Sequence, residues 1–139
     1  FPQKWLQIQK WDANARNFLE IPPRDIHKTT IDKFDVFWLV ISSPEFVAIP
    51  VPMTVESRVV SLKKGWNVFT YTGPILPIQD ALQSLKDTYL QVLKYDNLDV
   101  SWLSYVPDAP EFLNDFSALR TYEIYWILLR EPDILVMPQ

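Results

Sequence analysis

Residues 62–73 read LKKGWNVFTYTG, and this stretch, together with the residues after it, decides the fold. Lys63-Lys64-Gly65 has the composition of a turn, since glycine accepts positive φ without steric cost. Trp66 to Tyr71 is aromatic and β-branched, the composition of a strand. Thr72-Gly73-Pro74 closes it. The apolar period then changes. Ile78, Ala81, Leu82, Leu85 and Tyr89 fall at i, i+3, i+4, i+7 and i+11, with Gln79, Asp80, Gln83, Lys86 and Asp87 opposite. That spacing predicts an amphipathic helix over about 78–88.

Strand signals resume at Leu90–Tyr95, Val100–Val106, Thr121–Arg130 and Asp133–Met137. A short helix is expected over about 109–118. Asp108 would cap it, with Glu111 three residues on, and Phe112, Leu113, Phe116 and Leu119 would line one side. Upstream, the chain reads as strand after strand: Lys4–Gln9, Asn17–Ile21, Lys28–Ser42, Phe46–Val51 and Thr54–Leu62. In Lys28–Ser42, Phe34, Val36, Trp38 and Val40 share one face, and Phe37, Leu39 and Ile41 the other. A strand apolar on both faces is covered on both. The expected fold is therefore α+β and β-rich: antiparallel sheets with one amphipathic helix and one short helix. Residues 1–61 would form a β-rich arm or sub-domain and residues 62–139 an α+β module, the alternative being one continuous domain. The internal boundary is expected at Leu62 to Gly65, but 64 residues is few for an independent core.

Composition excludes several chemistries. There is no Cys, so there is no disulfide framework and no thiolate metal site. The single His, His27, cannot build a multi-histidine centre, and two Gly cannot build a Gly-rich phosphate loop. No apolar run approaches the ~20 residues of a membrane-spanning helix. Residues 1–64 carry nine Lys/Arg against seven Asp/Glu, a net of +2; residues 65–139 carry four against ten, a net of −6. An acidic second half disfavours nucleic acid, whose backbone needs clustered cations. The asymmetry suits head-to-tail contact between copies, or simply two solvated faces. The first residue is Phe1, which leads us to expect a processed product or a piece of a longer chain.

Gly65-Trp66-Asn67, Tyr95-Asp96, Trp102, Tyr105, Phe112-Leu113-Asn114 and Tyr125-Trp126-Ile127 occur in an order that resembles a small module of secreted, cell-surface and phage-virion structural proteins. The resemblance covers residues 62–130 and none of residues 1–61. Members often carry Gly before Tyr-Trp-Ile; Thr121-Tyr122-Glu123 stands there instead. The resemblance implies a structural or binding module without catalysis or cofactor. Core or turn roles follow for Gly65, Trp66, Asn67 and Trp126, with Asn67 bonding backbone groups of its turn.

Several residue groups are candidate sites. Trp102 and Tyr105 are a candidate sugar platform, because sugars stack C–H faces on exposed rings. Asp96, Asp99, Asp108, Glu111 and Asp115 concentrate acid, as a calcium site would, but the D-x-D-x-D-G loop is absent. His27 and carboxylates such as Glu20, Asp25, Asp32 and Asp35 lack the setting of a nucleophile or an acid–base pair. The aromatics of the first half exceed what the module explains. Phe1, Trp5, Trp11, Phe18, Phe37, Trp38 and Phe46 are the candidate partner contacts. The expected function is that of a non-enzymatic component of a virion, for example capsid decoration or a tail, or of an extracellular assembly. It would act through hydrophobic and β-edge contacts with protein subunits, as a homo-oligomer or on a larger scaffold. A carbohydrate-binding adhesion module is the alternative.

Overall fold

The structure, a computed structural model, describes residues 5–29, 34–41 and 58–139. The predicted strand Phe46–Val51, and Phe1 and Phe46 among the candidate contacts, lie outside these residues. Within them the chain is β-rich, with antiparallel sheets and few helices.

A three-stranded sheet comes first. Strand β1 (Trp5–Asp12) is central, flanked by β2 (Asn17–Glu20) and β3 (Phe37–Ile41). Asp12 makes the β1–β2 turn: its Oδ1 accepts the N–H groups of Asn14 and Ala15. Only part of Lys28–Ser42 is strand. Pro23–Lys28 is a 3₁₀ helix, and Phe34 is buried in the main core. The Phe34 carbonyl accepts the N–H of Thr70 at 3.0 Å.

After β4 (Val59–Leu62), the strand β5 (Gly65–Thr70) enters a four-stranded sheet. Its order is β5, then β10 (Ile124–Leu129), β7 (Tyr89–Asp96) and β8 (Ser101–Tyr105). Among the described residues two short ladders follow: β6 (Leu76–Pro77) with β9 (Ala118–Leu119), and β4 with β11 (Asp133–Val136). The boundary expected near residue 62 falls at the end of β4, whose partner β11 lies in the other half.

Alternation along the strands gives the four-stranded sheet one core face. Phe69, Val92, Tyr125, Ile127 and Leu129 point to it and are fully buried. Ile78, Leu82, Leu85 and Leu135 cover that face, so the apolar spacing read from 78 onward does mark a buried side. The element carrying it is not the predicted helix over 78–88. A single α turn, α1 (Ile78–Ala81), is followed by a 3₁₀ turn, Gln83–Leu85. Leu82 leaves helical geometry (φ −105°, ψ 24°), and Thr88 Oγ1 donates to the Leu85 carbonyl. Tyr89 is already in β7. An isolated helix this short has little stability of its own, so the turn into β7 ends it.

The predicted helix over 109–118 is reduced to a 3₁₀ turn, Glu111–Leu113. Asp108 does not cap it: its φ is +65°, and the residue before the turn is Pro110. Asn114 and Asp115 are drawn to β8 instead. The predicted apolar side divides, with Leu119 buried, Phe116 packed on the core, and Phe112 and Leu113 exposed.

Candidate interaction surface

The outer face of the four-stranded sheet carries Trp126 on β10, and aromatic rings converge on it. Trp11 of β1 lies 5.1 Å away, ring centre to ring centre, Trp38 of β3 at 5.8 Å, Phe18 of β2 at 6.3 Å and Trp102 of β8 at 6.4 Å. Most of these contacts are edge-to-face, the preferred arrangement of quadrupolar rings. Register explains the grouping. Trp11 stands opposite Phe18, and Trp38 opposite Gln9, so all three rings project from one face of the three-stranded sheet. The Trp11 indole Nε1 also donates to the Trp66 carbonyl at 3.0 Å.

Three of the candidate contacts face the chain's own second half, Phe18 remaining 43% exposed. Trp11, Phe18 and Trp38 meet the chain's own Trp126, because their common face is turned to the second half. Phe37 projects from the opposite face, where the Lys10 ammonium lies 5.7 Å from its ring centre. Lys10 also pairs with Asp35 at 2.8 Å. Trp5 opens β1.

The pair Trp102 and Tyr105 is corrected. Three residues apart on a strand, they project from opposite faces. Tyr105 is 6% exposed in the core; Trp102 is 54% exposed outside. The neighbour of Trp102 is Tyr95, directly opposite on β7, with ring centres 5.2 Å apart. The same face carries Ser104, two residues from Trp102, and Gln91, four from Tyr95, joined by a 2.8 Å hydrogen bond. Tyr95 stood in the sequence as strand signal and as part of the Tyr95-Asp96 motif; the hairpin register is what sets it against Trp102.

No protein-family model, curated protein or solved structure matches this chain. The surface is therefore interpreted from its own residues.

Strand β8 is an edge of its sheet, and most of that edge is closed. Ser104 N–H donates to Asp115 Oδ2, and the Ser104 carbonyl accepts Asp115 N–H. Val106 N–H donates to Asn114 Oδ1, and Asn114 Nδ2 reaches the Val106 carbonyl at 3.4 Å. These polar side chains occupy the groups that an added strand would need. What this margin offers is side chains. Phe112 is 84% exposed, Leu113 and Val106 are exposed after β8, and Leu98 and Val100 are exposed at the hairpin before it.

At the opposite edge, Asn67 organises the β4–β5 turn as its sequence position suggested. Its Oδ1 accepts Lys63 N–H, and its Nδ2 donates to the carbonyls of Lys63 and Gly65. Gly65 has φ +93°, where a side chain would be strained. Between this turn and the β1–β2 hairpin lies a cleft of about 450 Å³. Trp11, Phe34, Val60 and Leu62 give it apolar wall; Lys63 stands at its margin.

The acids of residues 96–115 do not converge. Asp96 Oδ1 accepts the N–H groups of Leu98 and Asp99, while Asp115 serves β8. Among the described residues no group of three or more His, Cys, Asp or Glu could hold a metal, and no helix is long and apolar enough to cross a membrane.

Proposed function

We propose that this chain is a non-enzymatic interaction component of a larger protein assembly, in a virion or at a cell surface, that acts through exposed apolar side chains. One observation carries the reading. Six of the large apolar residues that the fold leaves exposed fall within residues 98–113, on and around β8: Leu98, Val100, Trp102, Val106, Phe112 and Leu113. Single exposed apolar residues are ordinary, but a concentration of them marks an interaction surface. Because Asn114 and Asp115 cap most of the β8 edge, the contact is made by side chains there and not by strand addition. The setting follows the resemblance of residues 62–130 to modules of secreted and virion structural proteins.

The native size of the particle tests this. An extract of the source, fractionated by size and probed for the chain, should show it in a species far larger than its own 16.4 kDa. Recovery only as a free monomer overturns the reading.

A second reading, carbohydrate binding, is favoured by the exposed Trp102 ring beside Tyr95, with Gln91 and Ser104 on the same face. A glycan array with native chain and Trp102→Ala tests it. Signal lost in the variant supports it; no signal above background removes it.

A further inference from the structure

We propose that the rings over Trp126 form a site for a quaternary ammonium group, with Trp126 as its floor and Phe18 and Trp102 as its walls. The inference stands apart from the assembly reading and gives Trp102 a ligand other than a sugar.

Trp126 lies on the outer face of β10, and rings reach it from two sheets. Phe18 of β2 meets it at 6.3 Å with the ring planes at 77°, and Trp102 of β8 at 6.4 Å and 74°. Both rings therefore stand nearly upright on the Trp126 plane. Register explains the approach of each. Trp126 pairs with Leu93, and Tyr95, two residues on, pairs with Trp102, so Trp102 leans in from a diagonal position. Phe18 is brought in by the three-stranded sheet, opposite Trp11. Phe18 meets Trp11 and Trp38, and Trp102 meets Tyr95; among the described residues the two walls make no ring contact with each other. A slot between two upright rings is the result. Rings that served only the core would be covered, yet Phe18 is 43% exposed and Trp102 54%.

The chemistry of the slot selects its occupant. Ring faces carry the negative part of the aromatic quadrupole and attract a cation, Trp most strongly. They offer no acceptor to an N–H group. A primary ammonium would lose water there without replacement, whereas N-methyl groups need no hydrogen bond.

Charge points the same way. Glu20 projects from the face of β2 that carries Phe18, two residues along, and is exposed. It has no ion-pair partner among the described residues. On the side of Trp102, residues 95–119 hold five acids (Asp96, Asp99, Asp108, Glu111 and Asp115) and no Lys, Arg or His. The cations nearest in the chain are turned away. Lys94 projects from the opposite face of β7 to Tyr95 and pairs with Glu123 at 2.6 Å. Lys10 alternates away from Trp11 and pairs with Asp35. Arg16 reaches the β4–β5 turn, its Nε 3.8 Å from where a Cβ on Gly65 would stand. A neutral sugar would make no use of this one-sided charge; a cation would.

Calorimetric titration of the purified full chain tests this. Choline chloride is the probe, and its uncharged carbon isostere, dimethylbutanol, is the control, at constant ionic strength. Choline should bind saturably and about tenfold or more tightly than the alcohol. Trp102→Leu and Phe18→Leu keep apolar bulk and remove a ring face. Each should weaken choline about tenfold and leave the alcohol nearly unchanged. Glu20→Gln should weaken choline severalfold at low salt and less at high salt. Circular dichroism checks folding, and the exposed Trp102→Leu decides the matter if Phe18→Leu loosens the packing of the sheets. A trimethyllysine peptide, with its unmethylated form as control, identifies the source. Binding tighter than choline supports the site with a protein tail as ligand; choline binding tighter than the peptide supports it with a small molecule. The proposal is overturned if neither binds saturably, if choline and the alcohol bind equally, or if Trp102→Leu leaves choline binding unchanged. Glycan binding at Trp102 with no choline binding also overturns it and leaves the carbohydrate reading in place. Choline binding by a chain recovered only as a free monomer upholds this site and removes the assembly reading.

Discussion

The indole Nε1 of Trp11 donates a 3.0 Å hydrogen bond to the main-chain carbonyl of Trp66, 55 residues further along the chain. This bond and the Trp11–Trp126 ring contact fasten the three-stranded sheet to the four-stranded one. Trp11→Phe keeps a ring and loses the donor, and should cost about 1 kcal/mol. Trp126→Ala removes the ring on which Trp11, Trp38, Phe18 and Trp102 converge, and should cost about 3 kcal/mol. Urea unfolding followed by tryptophan fluorescence separates the two. Equal costs would show that the ring contacts contribute nothing beyond the hydrogen bond.

Asn67 holds its turn with three side-chain hydrogen bonds and is almost fully buried. Asn67→Ala should therefore cost about 2–3 kcal/mol. Asn67→Asp should cost more at neutral pH, because a carboxylate would face the Lys63 and Gly65 carbonyls. Its folded-state pKa would be raised, so the deficit should narrow as pH falls through that value. Thermal melts of both variants at neutral and acid pH check the order.

The chain's two glycines are required for different reasons. A Cβ on Gly73 would stand 2.6 Å from the hydroxyl oxygen of Tyr71. That ring is fully buried, and its hydroxyl donates to the Pro74 carbonyl at 2.7 Å, so it has little freedom to move. A Cβ on Gly65 meets nothing closer than ordinary contact, leaving only the cost of positive φ. Gly65→Ala should cost about 1 kcal/mol and Gly73→Ala about 3 kcal/mol, measured by chemical denaturation. The reverse order would contradict the packing around Tyr71.

Stability should fall in acid. The Thr88 hydroxyl and the Ile134 N–H hold the Asp133 carboxyl below the usual carboxylate range. Burial pushes Glu123 up, but hydrogen bonds from Lys94 and the Tyr125 hydroxyl outweigh it, and its net displacement is also downward. A carboxyl with a lowered folded pKa stabilises above its ordinary value, and that contribution is lost as pH falls through the folded value. The melting temperature should hold near neutrality and drop below about pH 4. Asp133→Asn and Glu123→Gln should each lower it at neutral pH and flatten the acid slope. An unchanged slope in both would mean that these carboxylates do not govern acid stability.

Much of the β framework was legible in residue order. Composition and alternation located β5, β7, β8 and β11 within one residue at each end, while the apolar run read as Thr121–Arg130 begins three residues before β10. Gly65 and Asn67 announced their turn by chemistry that few other residues supply. The helices were less legible. The spacing of Ile78, Ala81, Leu82 and Leu85 marks a buried side, but a single α turn followed by a 3₁₀ turn buries the same residues as a longer helix. Asp108 and Glu111 had the spacing of a cap, but positive φ at Asp108 and the pull of Asn114 and Asp115 toward β8 ended that helix at one turn. The ladder of Leu76–Pro77 with Ala118–Leu119 is too short to carry a period.

The sequence by itself determined where the longer strands of the second half lie, where the turn at Gly65 and Asn67 stands, and which chemistries lack residues to perform them. Only the tertiary structure decided which faces meet. Alternation says that Trp11, Phe18 and Trp38 can share a side, yet it does not say that Trp126 lies across from them. It likewise separates Trp102 from Tyr105 only once both are fixed in one strand, and gives Trp102 its neighbour Tyr95 only once the hairpin register is set. Period is a property of one strand; contact depends on how sheets stack, which is settled by the burial of the whole core.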